Sequence, residues 1–174
     1  MTETEETFDR ETLLARNDAS WTALWEMIDR QDEAELNGRR DASGWSAKDH
    51  LAHLAAWERG GVFLLNGLTV TDGMGVDDDL YRAGAIETIN AEIQDQGKDL
   101  ELADVLTDLR LVHEEMIGTI AGLSEGALQQ LVEASAVPEG RPRPKVANRI
   151  AQNTFKHFDQ HRVWIETLLR GDPA

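Results

Sequence analysis

His157 and His161 stand four residues apart in the run Asn153-Thr-Phe-Lys-His-Phe-Asp-Gln-His-Arg-Val-Trp. Four residues is slightly more than one helical turn. On a helix both imidazoles therefore leave the same face, about 6 Å apart along the axis. Stepping outward by threes and fours reaches Ile150, Thr154, Ile165 and Leu168, so this is the apolar face that a bundle helix buries. An unsatisfied polar group there costs about 1–3 kcal/mol, and two histidines on it need partners. A shared metal ion is one solution; a hydrogen-bonded pair within the core is the other.

Catalytic metal sites of the zinc type take three protein ligands and keep a position open for water or substrate. The chain has no cysteine, which excludes thiolate ligands, disulfides and a cysteine nucleophile. The ligands must then be imidazole, carboxylate or water, and zinc and nickel both suit imidazole. A third ligand has to come from a facing helix, where His50 and His53 are the candidates and His113 a weaker one. The helical wheel leaves the choice open. His50 lies nearer the apolar centre marked by Leu51, Leu54 and Leu65, while His53 shares a flank with Trp57 and Leu64.

The elements that must position these residues are helical almost throughout. Residues 7–30 form the first, with Leu14, Trp21, Leu24, Trp25 and Ile28 at helical spacing. Residues 31–44 read as a connection, on the turn signals Asn37-Gly38 and Ser43-Gly44. Ser46 is placed to cap the second helix, with Asp49 in the capping-box position and Gly67 as the stop. Residues 68–79 read as a loop in which Asp79 caps a short helix over 80–96. The Asp77–Asp79 run is a solvated loop, since EF-hand spacing is absent. A third long helix covers 102–121, and Ser124 caps one further turn. Pro138, Pro142 and Pro144 make 134–144 a loop. The fourth helix runs 145–170 and stops at Gly171. The expectation is an all-α fold: one domain over 1–174, a four-helix bundle with an extra short helix between the second and third long helices, and a frayed end over residues 1–6.

The segment Gly44-Trp45-Ser46-Ala47-Lys48-Asp49-His50-Leu51-Ala52-His53 resembles the second-helix signature of the DinB/YfiT-like superfamily, and His157 and His161 resemble its His-x-x-x-His near the end of the fourth helix. In that family the second-helix ligand lies eight residues after the tryptophan, which here is His53. The resemblance therefore implies a metal site of His53, His157 and His161. Ile89-Asn90-Ala91-Glu92-Ile93 and Trp164-Ile165 are similar to features of the ClbS/DfsB-type branch. That branch implies a protective activity which hydrolyses or sequesters a reactive metabolite, in some members without metal. The wider superfamily implies thiol-dependent transferases and isomerases.

Around the three ligands, His50, Asn90 and Trp57 are the candidate pocket residues, Asn90 as a hydrogen-bond donor. His113, beside Glu114 and Glu115, reads as partly exposed, and Asp159 as pointing to solvent near Lys156 and Arg162. No Ser/His/Asp order or carboxylate pair identifies a metal-free catalytic group. The leading expectation is a metal-dependent enzyme that carries out hydrolysis or thiol transfer on a small molecule. A ClbS-like protein acting without metal and a non-catalytic bundle with structural histidines are the alternatives.

The net charge of -16 repels phosphate backbones and anionic membranes, so nucleic acid and membrane are not expected partners. No stretch reaches the 18 or so apolar residues of a transmembrane helix, and residues 1–12 lack a signal-peptide core. A cytoplasmic protein is the expectation. Helix faces of a bundle also allow a homodimer.

Overall fold

The computed structural model describes residues 6–171. Four long helical segments form the bundle: α1 (Arg10–Ile28), α3 (Ala47–Leu65), α7 (Leu102–Gly122) and the pair α9 (Val146–Asn153) with α10 (Phe155–Arg170). Helix α3 packs on α7 and on α9 and α10, and α1 packs on α7 and α10, so α1 and α3 stand diagonally across the bundle. The core between them holds Leu24, Leu51, Leu54, Leu109, Met116, Phe155, Phe158 and Ile165, all buried. Among the described residues no strand forms; Leu131 and Lys145 make one isolated antiparallel bridge.

Local chemistry explains where α3 starts. The Ser46 side chain accepts from the Asp49 amide, and the Asp49 carboxylate accepts from the Ser46 amide at 2.8 Å. This capping box satisfies donors that a helix start leaves open, and it fixes the register of His50 and His53 one turn later.

The connections hold more helix than their composition suggests. Residues 31–44 contain α2 (Glu33–Gly38), capped by a reciprocal Asp32–Glu35 box. Residues 68–79 contain α4 (Val70–Met74), and Asp77 rather than Asp79 caps α5 (Asp78–Arg82). The expected short helix follows as α6 (Ile86–Gly97). Gly84 (φ +71°) separates α5 from α6, a backbone that glycine adopts without Cβ strain. Val70, Met74, Tyr81, Ile89 and Ile93 from these helices build a second apolar cluster with Ala56 of α3. Ser124 caps α8 (Glu125–Leu128), and Gly171 ends α10 at φ +77°.

The fourth long helix is broken. Thr154 leaves helical geometry (φ -123°, ψ -114°) between α9 and α10. Its hydroxyl donates to the Ile150 carbonyl at 2.7 Å, occupying the acceptor that a continuous helix gives to the backbone amide four residues on. Of the end expected to fray, residues 1–5 lie outside the described residues, while Glu6 pairs with Lys156 at 2.8 Å.

Helix α4 approaches α3 through glycine. A Cβ on Gly73 would stand 2.8 Å from the Arg59 carbonyl oxygen and from Phe63 Cγ. The carbonyl belongs to the α3 backbone and cannot swing aside. Gly73→Ala is therefore expected to destabilise the protein by about 1–3 kcal/mol, read as a lower urea midpoint. An unchanged midpoint would mean that α4 is not held against α3 in solution.

Candidate metal centre

Helices α3 and α10 face each other across four imidazoles. His53 and His161 are buried and His157 is half-buried. One nitrogen from each of these three lies within 4.8 Å of the others. His53 Nε2 and His157 Nε2 are 3.1 Å apart. The rings of His53 and His161 stack at 4.7 Å, and those of His157 and His161 meet edge-on at 4.6 Å. Placed on consecutive turns of α10, His157 and His161 reach the same side, as their spacing requires.

The donor set fits a divalent ion. Zinc–nitrogen bonds of about 2.0–2.1 Å at tetrahedral angles separate ligand nitrogens by roughly 3.3–3.4 Å. The His53–His157 separation is already near that value, and drawing in His161 requires shifts on the order of 1 Å. Ligation also needs neutral imidazole. Burial lowers His53 to about 2, helped by the neighbouring His157 and His50, and burial lowers His157 to about 4. Burial first, and then the three surrounding histidines, also hold His161 far below the ordinary imidazole range.

Hydrogen bonding within the cluster does not satisfy it. In the His53–His157 pair one ring donates from Nε2, so the other must carry its proton on Nδ1. Both Nδ1 atoms are buried and have no hydrogen-bond partner among the described residues. His161 differs, since its Nδ1 lies 3.0 Å from His50 Nδ1. His50 in turn meets Asp41 Oδ2 through Nε2 at 3.1 Å. His50 is therefore an outer partner of the cluster, held low in basicity by burial against the opposing pull of Asp41.

The cluster opens into a cleft of about 1230 Å³. Trp45 and Trp164 give it apolar walls, Asn90 and Gln94 of α6 give it amides, and Arg39 and Arg40 stand at its edge. Asn90 Oδ1 accepts from the Trp57 indole N–H at 3.2 Å, which leaves the Asn90 NH2 as the group able to donate to a bound molecule. Trp57 is not among the residues lining the cleft and bears on it through Asn90.

His113 stands elsewhere than the sequence suggested, and Asp159 is exposed as expected but with a different partner. His113 is buried, not partly exposed, and meets the fully buried Glu58 at 2.9 Å. Its neighbours Glu114 and Glu115 are exposed, and helical geometry turns them away from it. Asp159 is exposed, yet it accepts from Ser20 Oγ of α1 at 2.8 Å; Lys156 and Arg162 pair instead with Glu6 and Glu166. Sequence reasoning missed Asp41. The signal it offers is the turn Asp41-Ala-Ser-Gly-Trp, in which Asp41 Oδ1 accepts from the amides of Ser43 and Trp45, an Asx-type turn.

A family model of the DinB superfamily matches residues 16–165. No curated protein matches the sequence. Among solved structures, a protein from Streptococcus pneumoniae is similar at 17% identity and a TM-score of 0.73, over 94% of this chain and 92% of that one. DfsB, described as a sibling lethal factor precursor, is similar at 19% identity and a TM-score of 0.68, over 95% and 98%. A variant of a mycothiol-dependent maleylpyruvate isomerase is similar at 13% identity and a TM-score of 0.67, over 90% of this chain and 60% of that one. These likenesses establish a shared fold.

Proposed function

The chain belongs to the DinB superfamily, and from that premise we propose that it is a metal-dependent enzyme acting on a small molecule, with His53, His157 and His161 holding a zinc or nickel ion. The observation that carries the reading is the gathering of three imidazole nitrogens in the lining of an open cleft. When bound, such an ion supplies Lewis acidity and lowers the pKa of a water or thiol. That chemistry serves hydrolysis or thiol transfer, and the thiol dependence of the maleylpyruvate isomerase with this fold supports testing both.

The rest of the site binds and orients. Trp45 and Trp164 exclude water from the apolar part of a substrate, and the Asn90 amide fixes a polar group over the imidazoles. Arg39 lines the cleft and donates to the Leu169 carbonyl at 2.7 Å, and it has no carboxylate within salt-bridge distance among the described residues. It suits a substrate with an anionic end. Among the described residues no helix is long and apolar enough to cross a membrane, and the open cleft is of a size for a small molecule.

Elemental analysis of untagged protein, purified without chelator, tests the proposal. About one divalent ion per chain is expected, together with turnover of thiol-acceptor or hydrolysable substrates that chelation stops and zinc or nickel restores. Failure to take up either metal would overturn the metal-dependent reading and leave imidazole chemistry without metal as the account of the cleft.

A further inference from the structure

We infer that Asp41 and His50 form a hydrogen-bond relay that fixes the proton of His161 on Nδ1 and thereby presents its Nε2 lone pair to the three-histidine site. Each step is forced by the donor inventory. A carboxylate only accepts, so the His50 Nε2 that lies 3.1 Å from Asp41 Oδ2 carries the His50 proton. A neutral imidazole has one N–H, so His50 Nδ1 is an acceptor. His161 Nδ1, 3.0 Å away, must then donate to it. His161 Nε2 is left with a lone pair, and among the described residues no hydrogen-bond donor claims it. The relay orients one ligand and selects its tautomer, as outer partners of metal-bound histidines do.

Asp41 is built for this task. Its backbone N–H donates to the Trp45 carbonyl at 2.9 Å, while its Oδ1 accepts from the amides of Ser43 at 2.8 Å and Trp45 at 3.0 Å. One oxygen is committed to the loop that leads into α3, which leaves the other facing His50. Asp41 and His50 are positioning residues: neither belongs to the set of three nitrogens. The relay itself is a property of the metal-free protein. Its use rests on the metal-site reading.

Asp41→Asn inverts the relay while keeping its shape. The two loop amides still demand an oxygen, so the new NH2 falls opposite His50 Nε2. That nitrogen must now accept, His50 moves its proton to Nδ1, and His161 must accept at Nδ1 and hold its own proton on Nε2. The experiment is two-bond 1H–15N correlation on histidine-labelled, metal-free protein, followed by zinc affinity from competition with a chromophoric chelator. The parent is expected to show His161 protonated at Nδ1, and the variant to show it at Nε2 with zinc affinity lower by about 10–100-fold. His50→Phe, which removes the acceptor, is expected to give mixed His161 tautomers and covers the case in which the Asn variant folds poorly.

His161 protonated at Nε2 in the parent, or an unchanged tautomer in both variants, would overturn the relay. If the tautomers switch but the parent takes up no zinc, the relay stands and the metal-site reading fails. If zinc binds equally to parent and variants with tautomers unchanged, the relay fails and the metal-site reading stands.

Discussion

The His157→Ala/His161→Ala protein is expected to carry no metal where the parent carries about one ion per chain, and to lose stability less steeply in acid. The first effect follows from ligand count. Two of the three gathered nitrogens are gone, and a single imidazole does not retain an ion through purification. The second follows from linkage. Burial lowers His157 to about 4 and, with the neighbouring histidines, holds His161 lower still in the folded protein, against an ordinary value near 6.5 in the unfolded chain. Below that value the unfolded chain binds more protons, so folding stability is full above it. It declines as pH falls from about 6.5 toward 4 for His157, and further down for His161, and the variant lacks both contributions. Each such histidine contributes at most about 1.4 kcal/mol per pH unit over its window. Urea midpoints of metal-free parent and variant, measured from pH 7.5 to 4.5, should converge as acid is added. Parallel profiles would mean that the imidazoles already take up protons in the folded protein, which would count against their burial.

The bundle was legible because its signals are periodic and local. Ser46 with Asp49, Ser124 and Gly171 mark their helix ends by side-chain or backbone chemistry that acts within a few residues, and all three act in the structure as read. The break at Thr154 was not legible. A threonine hydroxyl returning to the carbonyl four residues back is compatible with a continuous helix, and only tertiary packing decides otherwise. The short helices α2 and α4 were hidden for a related reason, since their polar and glycine-rich composition matches that of loops. The histidines divide in the same way. Spacing placed His157 with His161, and helical phase kept both His50 and His53 near α10. Which of the two faces the pair depends on how α3 rotates against α10, a tertiary quantity. In the structure both are used: His53 in the set of three, His50 through His161 Nδ1. The Asx-type turn at Asp41 was open to reading, but its contact with His50 was not, because that depends on the loop folding back on α3.

His113→Ala is expected to cost about 1–3 kcal/mol, since it leaves the fully buried Glu58 without its partner. Burial already pushes the Glu58 carboxyl above its ordinary range, with His113 opposing that shift. Removing the imidazole takes away the opposition, and Glu58 must then be buried protonated or pull water into the core. A raised carboxyl stabilises below its unfolded value and loses that contribution as pH rises through the folded one, so the variant should be weakest toward neutral and alkaline pH. The same substitution removes the stack of His113 on Trp21 at 3.8 Å, a contact that ties α7 to α1. Urea unfolding of His113→Ala, Glu58→Met and the Glu58→Met/His113→Phe pair separates these contributions. The apolar pair should lie within about 1 kcal/mol of the parent, because replacing both partners of a buried hydrogen-bonded pair is far cheaper than orphaning one. A loss below about 1 kcal/mol in His113→Ala would show that the pair does not hold this seam. The consequence reaches the cleft through α3. Glu58 lies five residues beyond His53, about 140° around the same helix, so one face of α3 is anchored to α7 while the other presents an imidazole to α10. Loosening the anchor should spread the nitrogens gathered by His53, His157 and His161, and zinc affinity should fall in His113→Ala and recover in the apolar pair.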